Sequence, residues 1–190
     1  MSSDLAAIAG VEVPTRLAAV RLGPGLEDGV ELGPLVNAAT RDKVARLVTS
    51  AADDGGRVVL GGEAPRRPGY FYPATVLDDV PAGAGILHHE IFGPVAPIVR
   101  FARADEAIAL ANGTEYGLVS YLYSADLRRA LQVAEALEAG MVGINRGVVS
   151  DPAAPFGGVK QSGIGSEGGR EGGHDGLLEF TETKYVAVDW

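Results

Sequence analysis

The chain of 190 residues contains no cysteine. That excludes disulfides, thiolate metal sites and any cysteine nucleophile supplied by these residues. Three histidines, His88, His89 and His174, are too few to close a nitrogen–sulfur shell around zinc, so no metal site is expected. Positive charge is also scarce: 16 Lys and Arg stand against 25 Asp and Glu, for a net charge of −9. A surface of that balance offers no basic patch to release phosphate counterions, which argues against nucleic acid and anionic membrane as partners. No apolar run approaches the roughly 20 residues of a membrane span. The opening Met1-Ser2-Ser3-Asp4 has no basic region of the secretory kind. A cytoplasmic location is the expectation.

What the chain does have is glycine. Nine of the twenty residues from Gly157 to Gly176 are glycine, in a run opened by Pro155-Phe156-Gly157-Gly158-Val159-Lys160-Gln161-Ser162-Gly163. Such a density means either a loose linker or backbone shaped tightly around something. A strand-like segment lies before the run and another, Tyr185–Trp190, follows it, which favours the second reading. With 46% hydrophobic and 22% charged residues, the chain reads as one soluble globular domain, long enough to bury a real core.

In chain order, residues 1–22 read as a remnant helical segment, Ala/Val/Leu-rich but interrupted by Gly10 and Pro14. Gly23-Pro24-Gly25 and Gly33-Pro34 mark loops. Thr40 is the expected N-cap of a helix that buries Val44, Leu47, Val48 and Ala51 and stops at Gly55-Gly56. A strand over Arg57–Leu60 follows, then an extended stretch from Tyr70 to Val80 in which Pro73 implies an edge position. Pro94–Phe101 reads as a strand, and Asp105 opens a helix ended by Asn112-Gly113. After a strand over Leu118–Tyr123, Ser124 caps the clearest helix. Its shared face is Leu127, Leu131 and Ala134, and Gly140 is its expected C-terminal stop. Met141–Asn145 returns as a strand. Strands alternating with helices predict an α/β fold, a mostly parallel open sheet with flanking helices. The loop Asn145–Asp151 then falls at the C-terminal end of a strand, where ligands of such folds sit.

Gly163-Ile164-Gly165-Ser166-Glu167-Gly168 spells a dinucleotide fingerprint, but no apolar strand enters it and more glycines follow it. Without a helix N-terminus to meet a pyrophosphate, that reading is set aside. A local repeat, Glu167-Gly168-Gly169-Arg170 followed by Glu171-Gly172-Gly173-His174, reads as a short duplication.

The segment Pro-Phe-Gly-Gly-x-Lys-x-Ser-Gly, with Glu90-Ile91-Phe92-Gly93-Pro94-Val95 upstream of it, resembles two signatures of the aldehyde dehydrogenase superfamily in their expected order. Val142-Gly143-Ile144-Asn145, Ser150 to Lys160 and Glu182-Thr183-Lys184-Tyr185 are most similar to the succinate-semialdehyde dehydrogenase branch. The resemblance runs from about Leu17 to Trp190. It implies the C-terminal catalytic-domain region over residues 23–176, an oligomerisation segment with a pairing strand over 177–190, and a cofactor, NAD or NADP, held with the help of a missing N-terminal half. Glu90 matches the glutamate that hydrogen-bonds the nicotinamide ribose, and Phe92 the aromatic near the nicotinamide ring. Phe156 matches a residue of the aldehyde tunnel. Ser150 matches a serine that helps hold the distal carboxylate of succinic semialdehyde, and from residue type alone it reads equally well as a turn residue before Asp151-Pro152. Arg146 is a weaker candidate for that anion. The family glutamate that relays protons and supports the loop falls at Glu167 counting from Phe156, and at Glu171 counting back from Lys184. About four extra residues separate the two counts, consistent with the duplication.

The family attacks its aldehyde with a cysteine upstream of the region resembled. The expectation is therefore the C-terminal portion of an NAD(P)-dependent enzyme that oxidises an aldehyde to the carboxylate, inactive as an isolated chain. The alternatives are a non-catalytic interaction module that dimerises through its last strand, and one half of a split enzyme completed by a separate chain. A small-molecule aldehyde and a homo-oligomer, or a matching half, are the expected partners.

Overall fold

A computed structural model describes residues 12–163 and 171–189. Glu167 and most of the apparent fingerprint lie outside the described residues. Two compact units divide the chain, one through Arg103 and the other from Ala104.

In the first unit a short helical run, residues 12–18 (α1), precedes the main helix, α2 (Ala38–Asp53). Asn37 caps α2, its side chain accepting from the Thr40 amide at 2.8 Å. Thr40, the expected cap, lies inside the first turn as the residue whose amide is capped. Val44, Val48 and Ala51 are buried at the spacing of one helical face, with Leu47 packed against the same core. The helix ends at Asp54, and Gly55 takes the left-handed conformation, φ 109°, that stops it.

Against α2 lies a three-stranded sheet, ordered β1 (Arg57–Leu60), β2 (Thr75–Asp78) and β3 (Val95–Pro97). β1 pairs with β2 antiparallel and β3 with β2 parallel. Every residue of β2 is buried. The edge position expected from Pro73 is not found: the proline precedes a central strand that begins only at Thr75, so its missing N–H leaves the ladder intact. Tyr72, Leu77, Val80, Ala84 and Ile86 complete the core with α2. At the end of β2, Asp78 is 1% exposed, and its carboxylate accepts from Arg57 at 2.7 Å and from Arg100 at 2.9 and 3.0 Å. Asp79 and Asp78 together hold the Arg100 guanidinium above its ordinary pKa.

The second unit opens with α3 (Ala104–Asn112), whose first turn contains Asp105 and Glu106, acidic charges that favour a helix N-terminus. Then come β4 (Tyr116–Gly117), β5 (Val119–Leu122), α4 (Leu127–Ala136), β6 (Met141–Ile144), β7 (Val159–Lys160) and α5 (Gly173–Leu178). β5, α4 and β6 form a parallel crossover, Val119 opposite Met141 through Leu122 opposite Ile144. β4 and β7 pair antiparallel. Asp126, accepting from the Arg129 amide, caps α4, while the expected cap Ser124 bonds to Asp126 from the preceding turn. Ala130 is the buried residue of α4, and Leu127 and Leu131 of the expected apolar face are exposed.

The α/β class holds. Among the described residues the expected mostly parallel open sheet takes the form of three small sheets with two parallel and two antiparallel pairings. The reason lies in the short strands: β4 and β7 pair over two residues each, and β3 over three. The expected strand over Tyr185–Trp190 is not formed within the chain: residues 185–189 have no regular structure, and Tyr185, Val186 and Val188 are exposed. A strand is defined by its ladder, and among the described residues none pairs with this segment. No helix among the described residues is long and apolar enough to cross a membrane.

Candidate functional site

The glycine-rich segment is shaped backbone. A Cβ built on Gly140 would collide with the carbonyl oxygen of Gly157 and stand 2.7 Å from the Gly158 Cα. One built on Gly158 would stand 2.5 Å from the Ser162 Cβ and 3.0 Å from the Gly117 carbonyl oxygen. Gly140 was expected to end α4. The helix instead ends with Leu137 already extended, and Gly140 is where two backbones meet.

Lys160 anchors the same segment. Its ammonium donates to the carbonyls of Asn112 at 2.7 Å and Thr114 at 3.1 Å, and pairs with Glu138 at 2.6 Å. Asn112 ties α3 to the end of α4, donating to the Ala136 carbonyl and accepting from the Glu138 amide. A cation thus closes the carbonyl end of α3, where the helix dipole favours it. Ser162 adds a hydroxyl that accepts from the Gly117 amide at 3.1 Å.

With this frame fixed, Phe156 pairs with Glu171. The Phe156 amide donates to the Glu171 carbonyl at 2.6 Å, and the Glu171 amide donates back at 2.8 Å. A cleft of about 280 Å³ forms there, lined by Ser150, Asp151, Pro152, Ala154, Phe156, Glu171 and Gly172. Ser150, Phe156 and Glu171, three of the residues expected to act, therefore share one cavity. Its first lining residues, Ser150 and Asp151, belong to the loop that follows β6 in the chain. Asp151, not Ser150, caps the turn: its carboxylate accepts from the Ala153 amide at 2.9 Å and its carbonyl from the Ala154 amide. Arg146 is exposed and does not line the cleft.

Asn145 sets the direction of the loop into this cleft. At φ 54° it is left-handed, and its side chain bridges back to the end of β5, accepting from the Ser124 amide at 2.9 Å and donating to the Ser124 carbonyl at 2.8 Å. Asparagine is the non-glycine residue that best tolerates this conformation. Its strand-end position was legible from the sequence; its bridging role was not.

Glu90 and Phe92 lie in the first unit. Glu90 is exposed, and its carbonyl accepts from the Lys43 ammonium at 2.9 Å. Phe92 is 70% exposed at φ 51°. A bulky side chain in the left-handed region costs on the order of 1–3 kcal/mol, strain that clusters at functional sites. Glu90 and Phe92, two residues apart in the chain, are thus both exposed to solvent. Among the described residues no group of His, Asp and Glu has metal-binding geometry.

A model of the aldehyde dehydrogenase family matches residues 11–186. The chain belongs to the aldehyde dehydrogenase family. It is 52% identical over 172 residues to a succinate-semialdehyde dehydrogenase of Paenarthrobacter nicotinovorans, covering 90% of this chain and 37% of that protein. It is 46% identical over 169 residues to the NADP(+) succinate-semialdehyde dehydrogenase of Escherichia coli K12, covering 89% and 34%. The crystal structure of a succinate-semialdehyde dehydrogenase from Burkholderia pseudomallei superposes with a TM-score of 0.84 at 44% identity, over 89% of this chain and 34% of that one. The chain thus spans about a third of the length of the relatives it matches.

Proposed function

We propose that this chain is the C-terminal part of an NAD(P)-dependent aldehyde dehydrogenase that oxidises an aldehyde with a second, anionic end, succinic semialdehyde being the expected example. The observation that carries the reading is the cleft where Ser150, Phe156 and Glu171 meet. The Ser150 hydroxyl donates to the distal carboxylate at small desolvation cost. Phe156 supplies an apolar wall for the carbon chain, and the Glu171 carboxylate takes up and passes on a proton. Asp151 and Glu171 make the cleft negative, so an anionic substrate also needs a cation; Arg146 is the one this loop offers, beside any from the missing part. Two relatives named as succinate-semialdehyde dehydrogenases support the substrate class.

Glu90 would accept hydrogen bonds from the two ribose hydroxyls of the cofactor and Phe92 would cover its nicotinamide ring. When bound, the cofactor supplies the hydride acceptor. Aldehyde and water then become carboxylate, with one hydride leaving to the cofactor and the protons to solvent. The attacking cysteine is absent from these residues, so the chain alone does not turn over.

Grafting residues 12–189 in place of the matched third of the Escherichia coli relative tests this. The chimera should oxidise succinic semialdehyde with reduction of the cofactor. Within it, Ser150→Ala should raise KM for succinic semialdehyde about tenfold, one lost hydrogen bond to a charge, and leave KM for propanal unchanged. A folded chimera with no turnover would end the enzymatic reading. Turnover indifferent to Ser150→Ala would end the substrate reading alone.

A second reading rests on the exposed tail, in which Phe180 and Tyr185 are 91% and 88% exposed. There the chain acts by adding residues 185–189 to the sheet edge of another chain, a second copy or the missing half, as an oligomerisation segment over 177–190 would. Sedimentation of the full chain and of a form ending at Thr183 checks it; identical association states would exclude the tail as the contact.

A further inference from the structure

Phe92 poses a question of support. It is a bulky residue at φ 51°, yet 70% of it faces solvent, so its own packing is too slight to hold that conformation. The restraint has to come from its flanks. On the C-terminal side, Gly93 lies directly on Val44, whose Cγ2 would be 2.7 Å from a Cβ on the glycine. Immediately before Phe92, Ile91 packs against the buried core of the first unit. One residue earlier, the Lys43 ammonium donates to the Glu90 carbonyl at 2.9 Å across 47 residues of sequence. Lys43 and Val44 are consecutive on α2: Val44 is buried in the core, and half-buried Lys43 places its charged end on the Glu90 carbonyl.

We infer that Lys43 is a positioning residue that locks the Glu90–Gly93 turn and thereby fixes both the exposed Phe92 ring and the Glu90 carboxylate for their ligand. The ammonium orients the peptide leaving Glu90, and Val44 blocks movement beyond Phe92, so the left-handed residue is clamped between two consecutive side chains of one helix. The ligand half of this inference rests on the reading of Glu90 and Phe92 as cofactor contacts; the locking half does not.

The two halves are tested separately. A residue at positive φ gives a strong amide-to-Hα nuclear Overhauser effect within itself, so the full chain, labelled at phenylalanine, reports the Phe92 conformation directly. Lys43→Met should cut that signal at least twofold while amide shifts of Thr75–Asp78 stay in place, and Lys43→Arg, which keeps a donor of similar reach, should restore it. Lys43→Gln, a shorter neutral donor, should fall between them and serves if the methionine variant does not fold. An unchanged Phe92 signal in Lys43→Met, or in Lys43→Gln where that variant stands in, would overturn the inference. So would a loss shared by Thr75–Asp78 and not restored by arginine, since that is general destabilisation. In the chimera described above, Lys43→Met should raise KM for the cofactor about fivefold with KM for the aldehyde unchanged. If Glu90→Gln and Phe92→Ala leave cofactor KM unchanged there, the cofactor reading fails while the Phe92 signal still decides the role of Lys43.

Discussion

Gly140→Ala is the smallest change that strikes the frame of the cleft. The added methyl would enter the Gly157 carbonyl oxygen and stand 2.7 Å from the Gly158 Cα and 2.9 Å from the Gly157 carbonyl carbon. All three neighbours are backbone, so no side chain can rotate away and one of the two segments has to move. Overpacking of this kind costs about 3 kcal/mol, the upper part of the usual range, because the backbone itself must yield. For a unit of this size that lowers the melting midpoint by roughly 12 °C or more. The displaced segment carries Phe156 into the cleft, so in the chimera KM for succinic semialdehyde should rise as well. Gly83→Ala is the control: a Cβ there meets nothing within 4 Å, and its effect should stay within about 0.5 kcal/mol. Differential scanning calorimetry of the three proteins decides the matter. If Gly140→Ala melts within 2 °C of the parent, by the same conversion about 0.5 kcal/mol or less, the contact of the two backbones is not a constraint and the account of the glycine-rich segment is wrong.

Other outcomes follow from single groups. Asn145→Ala loses both bonds to Ser124 and leaves a methyl side chain at φ 54°, so about 2 kcal/mol should vanish in urea unfolding. Asn145→Gly, which removes only the bonds, should recover part of it. Burial pushes the Tyr72 phenol up to about 12, its Thr75 hydrogen bond opposing the shift in part. An unfolded tyrosine ionises near 10, so the unfolded chain loses that proton first. Stability is full below pH 10 and should fall between pH 10 and about 12, a slope that Tyr72→Phe abolishes. Lys160→Met removes the cation that joins α3 to the glycine-rich segment. It should speed amide exchange at Ser162 and Gly163 at least tenfold relative to the amides of β5 and β6.

The elements with strong periodicity were legible. The buried face of α2 followed from Val44, Val48 and Ala51, and the crossover from β5 to β6 from two β-rich runs flanking a helix. Caps were less so, for a local reason. Asn37 and Thr40 are both capping residues three apart, as are Ser124 and Asp126 two apart, and only the path of the backbone decides between them. Gly140 misled because a glycine four residues past a helix resembles a stop, whereas its necessity comes from Gly157, far away in sequence. In the candidate site the motif residues Ser150 and Phe156 could be named in advance, and the structure brings Glu171 beside them; Glu167 lies outside the described residues. Lys43 left no trace at all, since a lysine on a helix is ordinarily a solvated surface residue. Its partner is a backbone carbonyl, which every residue possesses and no pattern marks.

The paired amides of Phe156 and Glu171 act as the neck of a purse. The two ends of chain that face the cleft are held by this one pair of hydrogen bonds. Lengthening the 14 intervening residues from 10 costs only about 0.3 kcal/mol of closure entropy. One copy of the duplication, Glu167-Gly168-Gly169-Arg170, falls between the paired residues, and its four residues account for that small cost. The mouth of the cleft is thus fixed by two backbone hydrogen bonds, and its shape answers to them before it answers to the number of residues that separate their donors.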